Sequence, residues 1–186
     1  LLDFSEIKGK TPYEHQKKRF LDTFEDAVRL RLIADVPLGA FLSGGIDSSA
    51  VVAMATKHTS NLDTFSIGFA EQAFFDETEY AHLVAKKFNT NHTVFKLKND
   101  DIYGSLHELL EYIDEPFADS SALLVNILSK YTRQKVTVAL SGDAGDELFA
   151  GYNKHYGEWR TRNAGILENT VSLMHPIWKS MPKSRH

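Results

Sequence analysis

The residues best suited to chemistry in this 186-residue chain are Ser43-Gly44-Gly45-Ile46-Asp47-Ser48-Ser49. Two successive glycines let a backbone approach a ligand closely and take φ > 0 where a turn requires it. An apolar run, Val36 to Leu42, precedes them, and a helical pattern follows from about Ser48. A helix N-terminus offers unpaired N–H groups and a positive dipole end. With the hydroxyls of Ser43, Ser48 and Ser49, the stretch reads as an anion cradle for phosphate or pyrophosphate. Asp47 is out of place beside an anion alone, but fits if it holds Mg2+ against phosphates. The plainer alternative is a strand–turn–helix junction with Ser48 as N-cap. The loop is not a Walker A motif, because Gly45 and Ile46 stand where Lys and Ser/Thr are required. No GxGxxG follows a strand either.

A second Ser-Gly turn, Ser141-Gly142, leads through Asp143 to Asp146 and Glu147. Acids at a helix start commonly serve as N-cap or dipole partner, and that is the ordinary reading of these two.

The surrounding pattern must position both turns. Residues 13–33 read as an amphipathic helix with Phe20, Phe24, Ala27, Val28 and Arg31 on one face. Strands are expected at 36–42, 64–69, 92–97 and 136–140. Helices are expected at 48–58, 77–88, 104–113 and 120–134, with another starting near Asp146. Tyr80, Ala81, Val84, Ala85 and Phe88 form the inner stripe of the 77–88 helix, and Pro116 breaks the pattern between the next two. Beyond about residue 157, Trp159, Ile166, Leu167, Val171, Leu173, Met174 and Trp178 suit one or two helices. Strands separated by helices imply crossovers and a parallel sheet covered on both faces. Ligands of such sheets bind beyond the carboxyl ends of the strands at the switch point, where both Ser-Gly turns fall.

Composition bounds the partners. The chain is 42% hydrophobic, enough for a packed core, and its 21 basic and 25 acidic residues leave a net charge of −4. No basic footprint for nucleic acid exists; Lys17-Lys18-Arg19 is interleaved with Glu14, Asp22 and Glu25 and reads as a solvated helix face. No apolar run approaches the ~20 residues of a membrane span. The absence of cysteine excludes disulfides, thiolate metal sites and a cysteine nucleophile within these residues. The eight histidines show no metal-ligand spacing.

The SGGIDSS loop resembles the pyrophosphate-loop signature of N-type ATP pyrophosphatases. With the preceding Arg29 to Leu42, it is similar to the synthetase domain of the glutamine-hydrolysing asparagine synthetase family. Three further stretches fit that family: Thr64–Phe69 with Phe75-Asp76-Glu77, Asp114–Ser121, and Leu140–Tyr152. The resemblance spans roughly residues 29–152. It implies a three-layer α/β/α fold with a parallel sheet, of the adenine nucleotide alpha hydrolase-like (HUP) type.

The same resemblance implies a chemistry. The side-chain carboxylate of aspartate attacks the α-phosphate of Mg-ATP, giving β-aspartyl-AMP and pyrophosphate, and ammonia then displaces AMP. On this pattern Ser43, Gly44, Gly45, Ser48 and Ser49 would hold the pyrophosphate, and Asp47 and Asp146 would reach Mg2+. Leu42 and Ile67 would flank the base, though both equally suit plain core. Ser141 and Gly142 would lie near the nucleotide. Asp143 stands where the family often has Glu, near the acyl-adenylate, so Ser43, Asp47 and Asp143 are the candidate catalytic residues. Asp114 and Glu115 would face the acyl substrate or simply end a helix. Leu124 replaces a usual proline, which would suit a subgroup with another acyl acceptor.

The family draws ammonia from an N-terminal glutaminase domain or subunit with a catalytic cysteine, and places a lysine in a helical C-terminal part. Residues 1–186 are therefore expected to be a partial synthetase domain with core 29–152. Residues 153–186 would begin the helical part, and the glutaminase domain would be absent. A cytoplasmic location and a homodimer accord with the family. The competing readings are a related adenylating amidotransferase, β-lactam synthetase-like or surface-polymer modifying, and a non-catalytic nucleotide-binding module.

Overall fold

The computed structural model describes residues 11–71, 76–115 and 119–165. The expectations for Phe75, for Pro116 to Ala118 and for Ile166 onward lie outside these residues. The chain divides into two compact units, Leu1–Asp143 and Ala144–His186.

The first unit runs α1 (Tyr13–Arg31), β1 (Leu38–Phe41), α2 (Ile46–Ala55), β2 (Asp63–Phe69), α3 (Thr78–Phe88), β3 (Asn91–Leu97), α4 (Asn99–Tyr112), α5 (Ser121–Thr132) and β4 (Val138–Leu140). All four strands are parallel, in the order β3-β2-β1-β4. The chain steps outward from β1 to β3, then returns to the other side of β1. The switch point therefore lies between β1 and β4, where Ala40 is level with Leu140.

Alternation sorts the strands into two faces. Ala40 and Leu42 point to one face, where Val28 of α1, Val52 and Ala55 of α2, Leu62, and Ala81 and Ala85 of α3 complete the core. Phe65 and Phe95 point to the other and stack at 6.1 Å, and Phe95 meets Tyr131 of α5 at 5.2 Å. With α4 packed on α5, the unit has three layers, as the alternating pattern predicts. Exposed ion pairs link neighbouring helices, Lys57 to Glu25 at 2.6 Å and Lys130 to Glu108 at 2.6 Å, and each contributes little.

Element ends differ from expectation for local reasons. β1 starts at Leu38, because Pro37 has no N–H to pair; its carbonyl instead accepts from Thr137 at 2.8 Å. α4 starts at Asn99 rather than 104, because the Asp101 carboxylate accepts the Lys98 N–H at 2.8 Å. Of the expected inner stripe of α3, Tyr80 is 64% exposed, whereas Ala81 and Ala85 are buried and Val84 and Phe88 pack against the core beside them. Among the described residues no helix is long and apolar enough to cross a membrane.

The second unit contains α6 (Gly145–Phe149) and α7 (Asn153–Arg162). Ala144 and Ala150 bracket α6 with φ of 70° and 57°.

Candidate functional site

The first Ser-Gly turn leaves the end of β1 and is bound to itself. The Ser48 hydroxyl donates to the Gly45 carbonyl at 3.3 Å and accepts from the Ser43 N–H at 3.3 Å. The Ser43 and Ser48 hydroxyls lie 3.0 Å apart, and the Gly45 N–H donates to Ser43 Oγ at 3.2 Å. The turn thus holds its shape through its own hydrogen bonds, which lowers the ordering cost of binding a ligand.

This bonding corrects one expectation. Ser48 is not the N-cap: α2 begins at Ile46 with Gly45 in the cap position, and Ser48 lies inside the first turn. The first bonded amide of the helix is Ser49 N–H to Gly45 O, at 3.0 Å. The N–H groups of Ile46, Asp47 and Ser48 precede it, in the positions that at helix ends in general suit an anion. Ser43 is exposed, whereas Ser48 is buried with its hydroxyl already engaged. The Ser49 hydroxyl is buried without a hydrogen-bond partner. Asp47 sits half-buried in the first turn.

Two glycines are required by geometry. Gly44 has φ of 87°, and a Cβ there would lie 2.6 Å from the Ala81 backbone nitrogen. A Cβ on Gly142 would lie 2.6 Å from the Ser48 nitrogen and 2.9 Å from the Asp47 carbonyl carbon. The turn after β4 is therefore seated on the first turn of α2. Ser43, Gly44, Gly45, Asp47, Ser48, Ser49, Ser141 and Gly142 are brought together at the switch point. Beside them, the Ser141 hydroxyl donates to the exposed Asp143 carboxylate at 2.8 Å.

Leu42 and Ile67 are not brought together. Leu42 is 1% exposed, with its side chain in the core shared with α1, α2 and α3. Ile67 is level with Phe95 and points to the opposite face. The two side chains therefore cannot enclose one base as they stand; what Leu42 offers beside the turn is backbone.

Asp146 lies in the second unit, within the first turn of α6, and does not cap it: Ala144 holds the cap position. Glu147 accepts a hydrogen bond from the Tyr152 hydroxyl at 2.8 Å, and this bond is the largest cause holding its carboxyl below the ordinary value. Asp114 and Glu115 are exposed just past the end of α4.

Among the described residues no group of three or more His, Asp or Glu is gathered for a metal ion. A Mg2+ bound with phosphates asks for less, commonly one or two carboxylates with phosphate and water oxygens completing the shell. Asp47, in the first turn of α2 where amides lack intrahelical partners, fits that donor chemistry.

One feature of the site has no signature in the sequence. Ser66 Oγ donates to the Leu42 carbonyl at 2.6 Å, directly before the turn, and lies 3.1 Å from His92 Nε2. His92 Nδ1 lies 3.0 Å from Thr64 Oγ1, which is 2.9 Å from Thr90 Oγ1. A lone histidine in a strand pattern carries no spacing signal. Only the register, which sets Thr64 level with His92, joins these groups.

Comparison with known proteins gives consistent relatives. The family model described as asparagine synthase matches residues 19–183. A Methanocaldococcus jannaschii protein, provisionally named asparagine synthetase (glutamine-hydrolyzing) 2, is 41% identical over 162 residues, covering 86% of this chain and 30% of that protein. Asparagine synthetase (glutamine-hydrolyzing) 1 of Bacillus subtilis is 38% identical over 136 residues, covering 73% of this chain and 21% of its own length. The chain thus spans less than a third of each of these two curated relatives. Among solved structures, the NMN synthetase of Francisella tularensis superposes with a TM-score of 0.51 at 16% identity, over 73% of this chain and 58% of that one. That likeness concerns the fold, which is of the expected HUP type.

Proposed function

Since the chain belongs to the asparagine synthase family, we propose that it is the nucleotide-binding part of an ATP-dependent amide-forming ligase. The observation that carries this reading is the seating of Gly142 on the first turn of α2. It joins both Ser-Gly turns at the switch point of a parallel sheet, where such folds bind their ligands.

The proposed reaction has two steps. An aspartate side-chain oxygen attacks the α-phosphorus of ATP, the bond to the β-phosphate oxygen breaks, and pyrophosphate leaves. Ammonia nitrogen then attacks the acyl carbon, AMP departs, and the nitrogen loses a proton to give asparagine.

The amides at the start of α2, with Gly44, Gly45 and the hydroxyls of Ser43 and Ser49, would stabilise charge accumulating on the pyrophosphate. Ser48 would act from behind, by holding Ser43 and Gly45 in place. Asp47 is proposed to hold Mg2+, and Asp146 is proposed as a metal ligand on the family pattern alone. Bound there, the metal would neutralise triphosphate charge. Asp143, kept in orientation by Ser141, is proposed beside the acyl-adenylate. Leu42, through its backbone, and Ile67 are proposed near the adenosine. Residues 29–152 would form the core of this part, and a glutaminase domain or subunit would supply ammonia, because no cysteine is present among these residues.

Exchange of labelled pyrophosphate into ATP, driven by a panel of carboxylic acids, tests the reading. Exchange with aspartate alone is expected. Exchange driven by another acid would move the proposal to a related amidotransferase. ATP binding without exchange would leave only a nucleotide-binding module.

A further inference from the structure

The polar chain behind the turn has one consistent set of hydrogen positions. Ser66 has a single hydroxyl hydrogen, and it goes to the Leu42 carbonyl. Toward His92, then, Ser66 Oγ can only accept, so Nε2 carries the imidazole proton. In the neutral ring Nδ1 is then a lone pair and accepts from the Thr64 hydroxyl. Thr64 Oγ1 in turn accepts from Thr90. Every donor runs in one direction, from Thr90 through Thr64, His92 and Ser66 to Leu42.

The end of this chain is well chosen to matter. The Leu42 N–H is fixed by the Phe65 carbonyl at 2.8 Å, and its carbonyl by Ser66. Orienting the Leu42–Ser43 peptide also aims the Ser43 N–H, which donates to Ser48 Oγ. Thr64 and Ser66 are buried, so no competing water takes their protons. Ser66 freed of the imidazole would have rotamers that do not reach Leu42.

We propose that His92 is a positioning residue for the nucleotide turn, acting through the Ser66 hydroxyl on the Leu42 carbonyl from outside the site. This rests on the reading of Ser43–Ser49 as the ATP site only for its catalytic consequence; its structural consequence stands apart from it.

The test uses the whole 186-residue chain as wild type, H92F, H92Q, S66A and H92F/S66A, with two readouts. In amide hydrogen exchange, Ser43 to Ser49 should exchange about three- to tenfold faster in H92F and in S66A, the range for one hydrogen bond. The double variant should add little to S66A, and H92Q, which keeps a side-chain N–H, should restore most of the protection. In acid-dependent pyrophosphate exchange, H92F should raise the KM for ATP by a similar factor with kcat less affected. Wild-type exchange rates at Ser43–Ser49 in a folded H92F overturn the proposal, as does an additive double variant. If H92F fails to fold, S66A and H92Q decide: unchanged protection in S66A overturns it. A wild-type chain that neither binds ATP nor exchanges pyrophosphate refutes the ATP-site reading, while the amide measurements still judge His92.

Discussion

At the scale of the residue, the site depends on atoms that are missing as much as on those present. Gly142→Ala would put a methyl group against the backbone of Asp47 and Ser48, which have no flexible end to move aside. We expect it to cost about 1–3 kcal/mol in denaturant titration and to weaken ATP binding as well. Asp47→Asn should weaken Mg-ATP binding by roughly tenfold, the scale of one charge-assisted contact. Binding of metal-free ATP should change far less. Equal losses under both conditions in calorimetry would leave Asp47 as a loop residue. The turn itself was legible in the sequence, because two glycines, three hydroxyls and an acid within seven residues encode their geometry locally. The role of Ser48 was not. A serine at a helix start looks the same whether it caps the helix or clasps the preceding turn, and Gly45 occupied the cap instead. Ser66 and His92 were illegible for a different reason. Their meeting depends on strand register, a long-range property that neither residue declares.

At the scale of the element, ends were harder to read than middles. The α1, α3 and α5 patterns gave the right elements, yet α4 began well before its first clear apolar repeat because Asp101 reaches back to Lys98. Asp101→Ala should therefore lower stability by about 1 kcal/mol, measured by thermal or denaturant unfolding. The other end of α3 offers a contrasting case. Asn89 closes that helix with φ of 51°, and its backbone N–H donates to the Ala85 carbonyl. Asn89→Gly should be neutral or slightly stabilising, and Asn89→Val should cost about 1–2 kcal/mol, because a β-branched residue resists that backbone. Tyr80 shows why a helical stripe overstates burial. The stripe identifies a direction, but the backbone of Gly44 already fills the space beneath that turn of α3, so Ala81 is buried there while Tyr80 is not.

At the scale of the whole molecule, stability should depend on acid through His92. Burial is the main cause lowering its imidazole from the ordinary value of 6.5; the nearby His82, edge-on at 5.1 Å, adds to this, and the Thr64 backbone opposes it. A group whose folded value lies below its unfolded one contributes stability above the unfolded value and loses it as pH falls through the folded one. Melting temperature should thus decline as pH drops below about 6.5, and less steeply in His92→Gln. Parallel curves for the two proteins would remove His92 from the account.

The placing of β4 carries a last consequence, for the order in which the molecule is made. β1, β2 and β3 are joined through successive short crossovers, so their pairing closes small loops. β4 reaches β1 only after two further strands and four helices have intervened among the described residues. Contacts of such separation form late, because their closure entropy is paid before they reward it. During synthesis the first Ser-Gly turn would therefore emerge long before its companion. A nascent chain would acquire its joined pair of turns only when β4 pairs with β1, so nucleotide capture would report that pairing.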